Sequence, residues 1–117
     1  MKKYSETHEW VELEGDVAVV GISQHAQTLL GDIAFLELPA VGTEFKQGEP
    51  LGVIESVKSA SDFYAPISGV VVEVNQDAVA QPGKLNGQAE STWLLKLKCF
   101  DLSEIKVLIS ADSYQVE

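Results

Sequence analysis

Among the side chains able to do covalent chemistry, Lys58 stands apart by its setting. It lies in Glu55-Ser56-Val57-Lys58-Ser59-Ala60-Ser61, flanked almost entirely by small residues. Two strand-forming runs, 51–56 and 61–66, place it where a tight reversal is expected, although the Asn-Gly or Asp-Gly signal of a hairpin turn is missing. A long primary amine on a narrow tip with little neighbouring bulk is open from several directions. A modifying enzyme needs that access, and so does a swinging arm afterwards. The competing reading is a solvated turn lysine, which is what most exposed lysines are, and the chemistry of the residues alone favours it.

The other reactive side chains point to no enzyme. There is no glycine-rich phosphate loop, no Ser-His-Asp spacing and no metal-ligand spacing. His8 and His25 are solitary in sequence and are expected at the surface or at a cap. Cys99 ends an apolar strand and is expected as a small core residue, since nothing nearby would lower its thiol pKa. No carboxylate pair is assignable as acid and base from spacing. With 18 acidic side chains against 8 Lys and no Arg, the net charge of −10 argues against nucleic acid and anionic lipid, and favours basic partner surfaces. A single cysteine fits a reduced cytoplasm. No apolar stretch follows Lys2 and Lys3, and none reaches membrane-spanning length, so a cytoplasmic, bacterial protein off the membrane is expected.

The elements that must position Lys58 read as short strands with minor helices. Residues 10–22 form a hairpin turning at Glu14-Gly15-Asp16. Ser23 caps a helix over 24–30 that Gly31 ends. Strands follow at 33–38, 51–56, 61–66, 70–74 and 93–99, with 41–45 extended and a loop opening at Asn75. Asp101-Leu102-Ser103-Glu104 has a capping-box pattern and starts a helix to about Leu108. The runs 41–55 and 74–85 echo each other faintly. Residues 1–117 are expected to form one all-β domain, with Trp10 and Trp93 anchoring its core.

The segment 53–74 resembles the lipoyl-lysine hairpin of the glycine cleavage H-protein family. The shared pattern is Glu55-Ser56-Val57-Lys58-Ser59, then Ser61-Asp62, Pro66-Ile67-Ser68-Gly69 and Val72-Glu73-Val74-Asn75. His8-Glu9-Trp10-Val11, Gly21-Ile22, His25-Ala26-Gln27, Leu30-Gly31-Asp32-Ile33, Glu37-Leu38-Pro39 and Trp93-Leu94-Leu95-Lys96-Leu97 also match, in order. The resemblance implies a barrel-sandwich hybrid of the lipoyl/biotinyl (hammerhead) type with short peripheral helices, monomeric and non-catalytic. It implies lipoate joined to Lys58 by an amide, on an arm of about 10–15 Å. The implied partners are glycine decarboxylase (P-protein), aminomethyltransferase (T-protein) and dihydrolipoamide dehydrogenase (L-protein), plus a lipoate ligase or lipoyltransferase. The arm would shuttle an aminomethyl group and reducing equivalents between them.

The same resemblance implies a shallow cleft into which the loaded arm folds, at positions matching Thr7, Glu9 and Asp62. Thr7 stands where the family often has Ser, and the two carboxylates would pair with a cationic amine, unless they are ordinary surface charges. Glu55 would help a lipoylating enzyme recognise the hairpin, and Gly69 would permit a backbone geometry other residues resist. No metal ligand is implied. Departures fall in Gly87-Gln88-Ala89-Glu90-Ser91-Thr92, which lacks the family's usual loop composition, and in the brief C-terminal segment 101–117. These leave room for an H-like lipoyl donor or redox carrier serving other lipoate-dependent enzymes. A biotin carrier ranks lower, because Val57 and Ser59 stand where Met normally flanks the biotinyl lysine. A purely structural β domain with unmodified Lys58 is the remaining alternative.

Overall fold

Alternating apolar residues build two antiparallel sheets that close over an aliphatic core. The computed structural model describes residues 2–114. In chain order the strands are β1 (Lys2–Tyr4), β2 (Glu9–Glu14), β3 (Val17–Ile22), β4 (Ile33–Glu37), β5 (Glu44–Phe45), β6 (Pro50–Ser56), β7 (Ala60–Tyr64), β8 (Gly69–Val74), β9 (Leu95–Cys99) and β10 (Ile109–Ser110). Two short helices, α1 (Gln24–Leu30) and α2 (Gln76–Ala80), lie between them. One sheet runs β10-β1-β2-β3-β9-β8-β5 and the other β4-β6-β7. Val11, Val20, Leu95, Leu97 and Val71 of the larger sheet face Leu36, Ile54 and Phe63 of the smaller, all buried in one cluster. This is the mostly-β, two-sheet sandwich that the strand spacing implied.

The tryptophans sit elsewhere than expected. Trp10 is buried with Tyr4 and Val19 in a second, smaller cluster, on which Trp93 packs from a half-buried position. Strand alternation explains this: Val11 turns into the main core, so its neighbour Trp10 must face the other side. Space for the indole comes from its cross-strand partner Gly21, where a Cβ would lie 2.5 Å from the ring. The Trp10 Nε1–H donates to the Ala89 carbonyl at 3.1 Å.

Some expected elements change. Asn75 opens α2 rather than a loop; its side chain accepts from the Ala78 amide and donates to the Trp93 carbonyl at 2.6 Å. The faint echo between 41–55 and 74–85 therefore has no structural counterpart, one run being strands and the other largely helical. At the C-terminal end, Leu102–Val107 is 3-10 helix capped by Asp101. Glu104 does not complete a capping box: its carboxylate accepts the Ser68 amide at 2.7 Å and hydroxyl at 2.8 Å instead. Residues 115–117 of the C-terminal segment lie outside the described residues.

Gly69 earns its place through space rather than conformational freedom. Its φ is not in the left-handed region, but a Cβ there would lie 2.5 Å from the Lys98 carbonyl oxygen of β9. That oxygen belongs to the paired strand and has nowhere to move, so Gly69→Ala is expected to cost about 2–3 kcal/mol and to lower Tm by roughly 10 °C in a thermal melt. A melt within about 2 °C of the parent would show that β8 and β9 can separate without loss.

Candidate functional site

The hairpin tip is closed by a side chain where its sequence lacked a turn signal. The Ser56 hydroxyl accepts from the amides of Lys58 at 3.1 Å and Ser59 at 3.0 Å, and donates to the Ser59 carbonyl. The Ser56 amide donates to the same carbonyl at 2.8 Å. This serine turn does the work of Asn-Gly without a left-handed residue. The Val57 amide reaches out of the hairpin to the Asp32 carbonyl at 3.0 Å, tying the tip to the corner after α1. Lys58 and its neighbours Val57, Ser59 and Ala60 are all exposed. Ser56→Ala removes the closing hydroxyl and is expected to destabilise the tip by about 1 kcal/mol. Hydrogen exchange at the Lys58 and Ser59 amides should accelerate, with core amides unchanged; unchanged exchange at the tip would show that the tether to Asp32 holds it alone.

Beside the hairpin runs a cleft of about 200 Å³. Ile22, Ala26, Leu30, Ile54 and Phe63 form its apolar floor, and Thr7, His8, Ser61 and Asp62 its polar rim. It opens along the free edge of β7. The edge amide of Tyr64 donates to Glu9 Oε2 at 3.0 Å. By the two-residue alternation of a strand, the Asp62 amide faces the same way. Asp62 itself is exposed, and among the described residues its carboxylate has no partner. Asp62 stands on β7 just past the turn that carries Lys58, on the wall of this cleft.

Thr7, Glu9 and Asp62 thus do come together, but not on equal terms. Glu9 is not a surface charge: it is 2% exposed. Its Oε1 accepts the Ser5 and Thr7 hydroxyls while Oε2 takes the Tyr64 amide. Burial pushes its pKa up, and these hydrogen bonds oppose the rise. Glu9 is therefore the post that joins the β2 entry to the β7 edge, leaving Asp62 as the free carboxylate of the rim. Glu55 is exposed on β6, in register with Ala60 and Phe35 beside the tip. Gly69 lies in the larger sheet and does not line the cleft.

The histidines are not solitary. His8 meets His25 edge-to-face, with centroids 4.7 Å apart. His8 Nδ1 lies 2.6 Å from the Tyr114 hydroxyl, which donates to Ser23 Oγ at 2.9 Å. Burial first, then His25, lowers the His8 pKa. His8 also carries a positive φ of 74°. The sequence hid this cluster because His8 and His25 meet only through the fold and Tyr114 joins them from the other end of the chain. Among the described residues no group of three or more His, Cys, Asp or Glu is placed to hold a metal ion. Cys99 packs half-buried at the core edge, and burial raises its pKa.

A larger hollow of about 450 Å³ lies beyond the Thr7–Tyr64 wall, floored by Tyr64, Pro66 and Leu108. Of the two, only the smaller cleft is lined by Ser61 and Asp62, at the tip end of β7.

The glycine cleavage H-protein family matches residues 2–117. A glycine cleavage system H protein of Ralstonia nicotianae is 49% identical over 116 residues, covering 98% of this chain and 91% of that protein. One from Thermotoga maritima is 48% identical over 116 residues, covering 98% and 94%. The crystal structure of a glycine cleavage system H protein from Mycobacterium marinum superposes with a TM-score of 0.87 at 34% identity, covering 95% of this chain and 91% of that one. No helix among the described residues is long and apolar enough to cross a membrane. Matched in sequence along nearly its whole length and in the course of its backbone, this chain belongs to the glycine cleavage H-protein family.

Proposed function

We propose that residues 1–117 act as one carrier domain of the glycine cleavage system, with lipoate amide-linked to Lys58. The observation that carries this is the exposed Lys58 amine on a serine-closed tip, with an apolar cleft beside the same hairpin. The residues fit the group: the tip leaves the amine accessible, and the cleft offers an apolar floor with a free carboxylate at its rim. When bound, the dithiolane supplies redox and group-transfer chemistry, and the chain supplies tethering and protection. Tethering sets a high local concentration at each partner site.

Within the cleft, Asp62 is placed to accept from a cationic amine, and Thr7 is held in position by Glu9. The floor excludes water from cargo laid against it. Glu55 flanks the tip where a lipoate ligase or lipoyltransferase would read it. The partners are the P-, T- and L-proteins, and the setting is the cytoplasm. Reconstitution tests this reading: the lipoylated chain, added to the three enzymes with glycine, tetrahydrofolate and NAD, should support NADH formation. Lipoylation at Lys58 without any glycine-dependent NADH would instead favour a lipoyl donor for other enzymes.

A further inference from the structure

The exposed Lys58 side chain takes a definite course. It lies back across Gly31, the residue that ends α1. A Cβ at position 31 would fall 2.9 Å from Lys58 Cε, 3.6 Å from Nζ and 3.9 Å from Cδ. Gly31 is firmly held: its amide donates to the Gln27 carbonyl at 2.9 Å, and its carbonyl accepts from Gln27 Nε2 at 3.0 Å. The next residue, Asp32, accepts the Val57 amide and so fixes the tip over this corner. Leu29 and Leu30, just before Gly31, line the cleft. The bare Cα of Gly31 thus lies between the tip and the cleft, in contact with the lysine stem.

We propose that Gly31 is a notch that seats the acylated Lys58 stem and directs the arm into the cleft, making it a positioning residue for docking. The proposal rests on Lys58 being the acylated residue. An L side chain at 31 would meet the flexible lysine end near Cε and displace it, so the arm must leave the tip by another course than the one over Gly31.

Gly31 also has φ 85° and ψ −156°, a conformation that L-residues avoid. Gly31→Ala therefore combines a steric block with backbone strain. D-alanine at 31, introduced by chemical synthesis, separates the two. The mirror of this conformation is ordinary extended backbone, so D-alanine adopts it without strain. Its methyl takes the other Cα position, away from Lys58.

The test compares the lipoylated wild type, Gly31→Ala and the D-alanine form, each carrying the aminomethyl cargo. The readouts are nuclear Overhauser contacts between residue 31 Hα and the Lys58 ε-methylene, and the rate of cargo hydrolysis without partner enzymes. Wild type and the D-alanine form should show the contact and slow hydrolysis. Gly31→Ala, whose only Hα points away from Lys58, is judged by hydrolysis and should hydrolyse about tenfold faster, as expected when a mostly docked arm becomes mostly free. If Gly31→Ala protects cargo like wild type, or if both alanine forms lose protection equally, the notch is overturned. Should Gly31→Ala not fold, the wild-type contact decides, and its absence overturns the proposal. A wild type that takes no adduct at Lys58 overturns the carrier reading and the notch together, whereas an unprotected arm on an acylated Lys58 overturns only the notch.

Discussion

Lys58→Arg is expected to leave the fold intact while removing acylation and carrier activity entirely. The side chain is exposed and its turn is built from the Ser56 hydroxyl and backbone groups, so stability should change by less than about 0.5 kcal/mol. Arginine keeps the positive charge and the reach across Gly31, but its guanidinium is a poor nucleophile for amide formation. Intact mass after incubation with a lipoate ligase should show one lipoyl adduct on the wild type and none on the variant. Glycine-dependent turnover with the P-, T- and L-proteins should fall at least about 100-fold, because tethering accounts for that much of the carrier's advantage. Residual turnover near the wild-type level would place the working group on another side chain.

Glu9→Ala is expected to give the largest stability loss at the site, about 3 kcal/mol. It orphans the Tyr64 amide, removes the acceptor that the Ser5 and Thr7 hydroxyls share, and leaves a void under the cleft wall. Glu9→Gln should be far milder. The amide oxygen can accept from Tyr64, and the two hydroxyls can rotate to accept from the amide nitrogen. The pair also separates by pH. Burial raises the folded-state pKa of Glu9, so between the ordinary glutamate value and the raised one the folded chain holds more protons than the unfolded chain. Wild-type stability therefore falls as pH rises through that window, and the protonated form's advantage is present only below it. Glu9→Gln removes this titration. Chemical denaturation across pH 4 to 8 (approximate limits chosen to bracket the window) should show a flatter profile for Glu9→Gln, converging on wild type at the acid end. Parallel profiles would mean that Glu9 titrates alike in both states.

Most of the strand order around Lys58 was legible in the sequence because punctuation and periodicity agreed there. Ser23 and Gly31 bound α1 as their types imply, through the Ala26 amide to Ser23 Oγ and the Gly31 amide to the Gln27 carbonyl. The hairpin was placed correctly although its turn signal was unusual, since Ser56 substitutes side-chain for backbone hydrogen bonds. Glu9 was expected to offer its carboxylate to a cationic amine; that it is buried under protein donors was hidden, because nothing local marks a carboxylate whose donors come partly from 55 residues away. Trp10 was assigned to the wrong cluster because alternation fixes which residues share a face, but not which face meets the main core. Short elements such as α2, β1 and β10 carry too few residues for a periodic signal, and form because tertiary partners satisfy them. The Gly31–Lys58 contact depends on a corner fixed by Gln27 and Val57, neither of which announces it in sequence.

The most direct measurement is a tryptic map of the chain after incubation with lipoate, ATP and a lipoate ligase. Trypsin cuts after Lys46, Lys58 and Lys84, and an amide on Lys58 blocks the middle cut. A single uncut peptide spanning residues 47–84, heavier by one lipoyl group, is expected. Complete cleavage after Lys58, with the adduct on another lysine or nowhere, would show that Lys58 is not the carrier residue.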